Sequence, residues 1–198
     1  MKVLTKTEFE QHFAAIPSGS EYVRCEGREL FFEHPEANCI NIEYPAKLER
    51  LPFFARYLAT VGYETVDFRG ALIWFTTWSV WNELDEAPGY RIVEAISIAA
   101  GQPISFEAGS GYWFRADELE QAVGMLLQPM VFGWDAWYYP NWSYGTGQFF
   151  LHVSHDSFVS LVTRTNEFHD RVLASLTELR FDAKPADERH VRRFCKVA

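Results

Sequence analysis

Long apolar runs are absent from this chain. No stretch approaches the roughly 18 consecutive apolar residues of a membrane helix, so membrane insertion is not expected. Cysteine is scarce, with only Cys25, Cys39 and Cys195. An odd number suits reduced thiols better than a disulfide framework, and the spacings match no zinc pattern. Positive charge is in deficit: 18 Lys+Arg against 27 Asp+Glu give a net charge of -9. Nucleic-acid binding draws much of its affinity from a basic face, so no nucleic-acid partner is expected. The opening residues, Met1 to Lys6, lead into polar sequence without the apolar stretch of about 7–15 residues that a secretory signal needs. A cytoplasmic protein is therefore expected. Catalytic templates are missing as well. There is no G-x-S-x-G elbow, no G-x-x-x-x-G-K-[ST] loop and no H-E-x-x-H helix. Neither a cofactor nor a metal is expected on these grounds.

What the chain does have is apolar and aromatic content. Hydrophobic residues make up 48% and aromatics 17% of 198 residues, enough for one domain, 1–198, with a sizeable core. Thr5-Lys6-Thr7-Glu8 reads as a capping box before Phe9, Phe13 and Ile16 at helical spacing. Tyr22 to Cys25 and Leu30 to Glu33 read as a hairpin, and Cys39 to Tyr44 as a further strand. Leu48 to Leu58 has helical spacing and should begin at, or kink around, Pro52, with Gly62 as its stop. Thr65 to Phe68 and Ala71 to Trp81 form the next hairpin; the second strand is apolar on both faces and should be covered on both sides. Tyr90 to Ala100 reads as a helix. Ile104 to Phe106 and Tyr112 to Phe114 are short strands. Asp117 with Glu120 opens a helix that Pro129 should fray. Trp134 to Tyr139 is extended. Gln148 to Val153 and Phe158 to Arg164 make a hairpin, and Thr165 caps a last helix. This irregular alternation of helices and hairpins predicts an α+β fold, a mostly antiparallel sheet with helices packed on it.

Charge is uneven along the chain. Residues 180–198 hold six basic and three acidic side chains, a net +3, which leaves -12 on residues 1–179. The segment is expected to dock on its own acidic body, with Phe194 as the apolar anchor. The alternative is a basic arm for an acidic partner.

Four stretches are candidate sites. Trp134, Trp137, Tyr138, Tyr139, Trp142 and Tyr144 are crowded into eleven residues with Asp135 among them. Rings with polar tips suit recognition surfaces, and they suit cores equally well. His152-Val153-Ser154-His155-Asp156 could bind metal or act in acid–base chemistry. On an ideal strand, however, His152 and His155 face opposite ways. Only a turn beginning at Ser154 would bring His155 and Asp156 round, and the other reading is a plain hairpin turn. Glu33-His34-Pro35-Glu36 with Cys39, and the acidic loop Asn82 to Glu86, carry further donors. Each reads first as a solvated loop.

Gly133-Trp134-Asp135-Ala136, followed by Val153-Ser154-His155-Asp156-Ser157-Phe158, is similar to a pattern in uncharacterised bacterial proteins. There an aromatic strand led by G-W-D-A precedes a strand ending in S-H-D-E. The Gly89-Tyr90 loop and the helix entry from Phe114 to Glu118 are similar too. The likeness covers the C-terminal half, and Ser157 stands where the pattern has an acid. The resemblance implies no activity. It does imply that Trp134, Asp135, His155 and Asp156 form one neighbourhood, in which Asp135 could pin the His155 turn.

Three functions follow. The first is a non-enzymatic binding protein that meets a basic protein partner through its acidic surface, as an immunity-like module would. Its candidate residues are Trp134, Asp135, Trp137, Tyr139, Trp142, Tyr144, His155 and Asp156, and exposed rings could equally form a homodimer seam. The second is a metal-dependent hydrolase around His152, His155 and Asp156, with Glu83 or Asp85. The third is a small-molecule binder using the aromatic segment 134–144.

Overall fold

The computed structural model describes residues 1–4, 7, 8, 11, 23–26, 29–61, 68–75, 95, 98, 111–140 and 148–196. Period-two patterning produces most of the strands. The chain runs through β1 (Lys2–Leu4), β2 (Val23–Glu26), β3 (Glu29–Glu33), β4 (Asn38–Glu43), β5 (Ala71–Phe75) and β6 (Gly111–Phe114). It continues through β7 (Ala136–Pro140), β8 (Phe149–Ser154), β9 (Phe158–Thr163), β10 (Ala183–Pro185) and β11 (Cys195–Lys196). Among the described residues, four α-helices with stated bounds lie between them: α1 (Leu51–Thr60), α2 (Leu119–Phe132), α3 (Asn166–Glu178) and α4 (Glu188–Phe194).

Eight strands make one sheet in the order β1-β6-β5-β7-β8-β9-β4-β10. Every pairing within it is antiparallel. A second sheet joins β2 and β3 antiparallel and adds β11 parallel to β3. The fold is α+β.

Alternation along each central strand sends side chains to two separate cores. Ile73, Phe75, Ala136, Tyr138, Leu151, Val153, Val159 and Leu161 face the larger one. There they meet Phe54, Leu58, Met125, Leu126, Phe168 and Val172 from α1, α2 and α3. Leu72, Trp74, Trp137, Tyr139, Phe150 and Val162 face the other way, against Leu30, Phe32, Phe194 and Cys195. Among the described residues, the sheet is therefore covered by three helices on one face, and by the small sheet with α4 on the other. Both faces of β5, β7 and β8 are buried, as doubly covered strands require.

The helix starts and stops follow local chemistry. Pro52 sits in the first turn of α1, where a missing N–H costs nothing. Thr165 caps α3, its hydroxyl accepting the Phe168 amide at 3.3 Å. The expected fraying of α2 at Pro129 does not occur. The helix runs three residues further and closes at Gly133 in the left-handed region, φ +66°, with the Trp134 amide bonded to the Pro129 carbonyl at 3.0 Å. Pro129 forfeits one helical bond in the last turn, and the glycine cap offsets it. The entry of α2 also differs from expectation: Glu118 stands at its N-cap, not Asp117, and it makes no side-chain cap bond.

The segment after α3 runs back over the sheet. β10 pairs with β4 and carries Pro185 at that open edge, where a strand without one N–H resists further pairing. The Ala186 amide donates to the Cys39 carbonyl at 3.0 Å, and α4 then lies over β3 and β4. Phe194 is fully buried among Trp137, Phe150, His152 and His190.

Several sequence expectations fall outside the described residues. These are most of the first helix, the Gly62 stop, the strand before Phe68, the far end of β5, most of the 90–100 helix, the 104–106 strand and the loop from Asn141. Among the described residues, no helix is long and apolar enough to cross a membrane.

Removing Phe194 tests the second core. Phe194→Ala is expected to cost about 3–5 kcal/mol, read as a fall in the urea midpoint at unchanged slope. Phe194→Leu should recover most of the loss. An alanine variant within about 1 kcal/mol of wild type would show that α4 is not integral to the core.

Candidate functional site

Where the cover over the second face ends, a cleft of about 480 Å³ opens between the β8–β9 turn and α4. Its walls come from three stretches of the chain: Asp135 and Trp137, then His152, Ser154 to Asp156 and Phe158, then Arg189, His190 and Arg193.

Strand alternation explains the first two. Asp135 and Trp137 have the same parity, and Trp137 faces the second core. His152 is the cross-strand partner of Trp137, so the two side chains share that face, with ring centroids 4.7 Å apart. Ser154 follows two residues on. β8 ends there, and the turn folds His155 back over the same face. The separation of His152 and His155 that an ideal strand would give is thus removed by the turn after Ser154.

The turn is fixed by four contacts. The Asp156 amide donates to Ser154 Oγ at 3.2 Å. The Tyr44 hydroxyl donates to the Ser154 carbonyl at 3.0 Å, and the Tyr44 amide to the Ser157 carbonyl at 3.0 Å. Ser157 adopts φ +66°, the left-handed conformation that closes the turn. The fourth contact is Asp135. Its Oδ1 accepts the His155 backbone N–H at 3.0 Å.

Asp135 also holds the His155 ring, whose Nδ1 lies 2.9 and 2.8 Å from the two carboxylate oxygens. A carboxylate at this distance only accepts, so Nδ1 carries the proton and Nε2 is the basic nitrogen. Asp135 is 15% exposed and His155 47%. The hydrogen bond to Asp135 lifts the His155 pKa above its ordinary 6.5; attraction to the same carboxylate and to Asp156 adds to this.

The third wall is α4. Asp187 is its N-cap and accepts the His190 amide at 2.9 Å. The same carboxylate oxygen lies 2.8 Å from His190 Nδ1. This is a second Asp–His pair, on the opposite side of the cleft from the first. Phe158 meets the His190 ring edge-on at 5.6 Å. Arg189 and Arg193 are exposed, four residues apart and on one side of the helix.

Sequence reasoning placed Asp135, His155 and Asp156 in one neighbourhood, and the structure brings them together. Trp134 belongs elsewhere. It is buried in the larger core against Phe75 and Phe132, because its parity is opposite to that of Asp135. Trp137 and Tyr139 are interior too, so the described part of the aromatic segment is core and not an exposed recognition platform. A sheet covered on both faces leaves no open side for those rings. Trp142 and Tyr144 lie outside the described residues, as do Glu83, Asp85 and the rest of the acidic loop.

The metal-binding readings do not find a ligand set among the described residues. Among the described residues, no group of three or more His, Cys, Asp or Glu side chains is arranged to hold a metal ion. His34 Nδ1 accepts the Glu36 amide at 3.1 Å in a local turn, and Cys39 is buried in the second core. Cys39 and Cys195 are free thiols, both raised by burial, Cys195 to about 12.

The contribution of α4 was missed. The segment 187–194 is short and mostly charged, and only its net charge and Phe194 stood out. The signal that would have found it is Asp187-Glu188-Arg189-His190, a cap followed three residues later by a partner for it.

The chain matches no protein-family model, no curated protein and no solved structure.

The Asp135–His155 pair gives a testable pH dependence. A raised pKa means the folded state holds the proton more tightly. The added stability is therefore complete below about pH 6.5 and is lost as pH rises through the raised value. Asp135→Asn keeps a carbonyl oxygen for the turn but loses the charge. By proton NMR, His155 should titrate above about 6.5 in the wild type and return towards it in the variant. The difference in melting temperature between the two proteins should shrink as pH rises. The opposite trend of buried His169, whose pKa burial lowers, is common to both and cancels. A His155 that titrates normally in the wild type would refute the pair.

Proposed function

We propose that this chain is a non-enzymatic binding protein whose ligand site is the cleft between the β8–β9 turn and α4. One observation carries the reading. Polar side chains from three stretches of the chain converge on a concavity that they do not fill. Its volume lies within the roughly 300–1,000 Å³ typical of small-molecule sites.

The groups in the cleft are arranged for holding more than for reacting. Asp135 is committed to the turn and to His155. Ser154, the hydroxyl between the two histidines, is buried and accepts a backbone amide. Neither group has the exposure of a nucleophile. Arg189 and Arg193 balance Asp135 and Asp156 in the lining, and protonation of His155 adds one positive charge, which favours an anion. The cleft is thus less acidic than the body around it. A basic protein partner of the immunity-like kind would accordingly sit on the acidic surface and not in the cleft. The free thiols of Cys39 and Cys195 support a cytoplasmic setting.

A second reading takes His155 as a general base. It is favoured by Asp135, which fixes the tautomer and leaves Nε2 basic, as the orienting acid of a catalytic dyad does. Turnover of chromogenic esters that disappears in His155→Ala would establish it over simple binding.

A thermal-shift survey with nucleotides, sugar phosphates, organic acids and divalent cations tests the main reading. At a concentration one hundred times the Kd, a ligand stabilises by about 2.7 kcal/mol. At least one anion should raise the midpoint of the wild type, and the gain should be lost in Arg189→Ala with His155→Ala. If no compound shifts the wild type, the cleft is not a small-molecule site.

A further inference from the structure

We infer that this protein carries a second interaction surface, around the cavity between the segment 44–50 and the end of α3, and that it docks an acidic peptide segment of a partner protein. The cavity holds about 300 Å³ and shares no lining residue with the cleft, so the inference does not depend on the cleft being a ligand site.

Local backbone chemistry builds the site. α3 ends in a pair of hydrogen bonds: the Phe181 amide donates to the Leu176 carbonyl at 2.9 Å, and the Arg180 amide to the Thr177 carbonyl at 3.0 Å. This ending needs a left-handed residue between them. Arg180 fills the place at φ +58°, where glycine is the usual choice. A side chain is thus kept at a position where the backbone favours none, and it lines the cavity. Arg50 comes from the segment before α1. It donates to the Leu179 carbonyl at 2.9 Å, and its guanidinium carbon lies 4.9 Å from the centroid of the buried Phe181 ring. Those contacts hold the fork and leave N–H donors over for a ligand.

Charge here runs against that of the whole chain, which is -9. Lys47, Arg50 and Arg180 line the cavity with two acids, Glu43 and Asp182. Both acids face Lys184, at 2.8 and 3.4 Å. Counting Lys184, four cations meet two carboxylates, a net +2. Glu49 and Glu178 are near in sequence, but neither lines the cavity. Among the described residues, neither Lys47 nor Arg180 pairs with a carboxylate.

Apolar side chains border this basic cavity. Among the described residues, four large apolar side chains are exposed, and two of them flank the site. Leu48, 77% exposed, follows Lys47 in the single 3-10 turn before α1. Phe53, 49% exposed, stacks on Phe181 at 6.0 Å. Apolar side chains left open beside held charge suit docking, because their burial supplies affinity and complementary charge sets the register. A small anion inside the cavity would leave both uncovered. A peptide with a carboxylate on Arg50 and an apolar residue on Phe53 or Leu48 covers them. An anionic lipid surface would also have to approach the acidic body. A short segment meets the patch alone, since repulsion fades within a Debye length of about 8–10 Å.

The test is fluorescence anisotropy of the full chain against an array of labelled peptides, each with several Glu and one Phe or Leu at varied spacing. At least one peptide should bind, more weakly as salt rises. Arg180→Gly is the decisive variant. It gives the helix end its usual residue, so the melting temperature should hold or rise, while affinity should fall by about 5-fold. Lys47→Glu should cost as much, and a peptide with Lys in place of one Glu should recover that loss. Leu48→Ala should weaken binding by about 5-fold with unchanged melting. Arg189→Ala, in the cleft, should bind as the wild type does; an equal loss there would overturn the separate site. If no peptide binds, or if Arg180→Gly and Leu48→Ala bind like the wild type, the surface is not a docking site. Acetate or free glutamate displacing the peptide at equal concentration would overturn it in favour of a small anion. Flotation of the chain with phosphatidylserine vesicles, unmatched by any peptide, would replace the peptide with a membrane. A dimer in sedimentation velocity that Leu48→Ala dissolves would replace it with a second copy. All of these outcomes leave the cleft reading standing.

Discussion

A sheet buried on both faces imposes one requirement on every residue of its central strands: it must be apolar, or its polar atoms must be satisfied. The described parts of β5, β7 and β8 are built largely of alternating sets of rings and aliphatic chains, one set for each core. Each fully buried side chain of this size contributes roughly 1.5–3 kcal/mol. Among the described residues, the cover on the second face is a three-stranded sheet and a helix of seven residues. Where that cover stops, residues of the inward parity change from Trp and Phe to His152, Ser154 and Asp135. The cleft is the margin of the second core, and its polar character follows from its position there.

Asp135 links this margin to the rest of the molecule. It sits between the cap of α2 and the first residue of β7, and its carboxylate reaches the turn of the next hairpin. One side chain thereby ties the link between a helix and a strand to the backbone and the ring of a histidine. Asp187 does the same for α4 and His190. The cleft is thus framed by two carboxylate–imidazole pairs on elements far apart in sequence.

Much of the fold was legible in the sequence because hydrophobic alternation is a local signal. The β8–β9 hairpin, the Thr165 cap and the double-faced β5 are all written in consecutive residues. Pro129 misled because a proline in the last turn of a helix removes a single bond, and Gly133 was free to supply the cap. The aromatic segment could not be divided by composition alone. Whether Trp137 faces a core or solvent depends on what covers the sheet, and that cover arrives from residues 30–32 and 194–195. The site was half legible for the same reason. Asp135 and His155 are joined by a hairpin and could be anticipated, whereas α4 meets them only through the tertiary fold.

The strand order has a kinetic side. β1 pairs with β6 and β4 with both β9 and β10, so the sheet is closed by contacts between residues more than one hundred positions apart. Topologies of this kind lose chain entropy long before their contacts repay it, and they fold slowly for their size. The β7–β8–β9 meander can form early, carrying Asp135 and the His155 turn in place. α4 can be seated only after β4 has joined that meander. Half of the cleft is therefore built at the outset of folding and the other half near its end, so any ligand that spans the two halves binds the finished chain and not its intermediates.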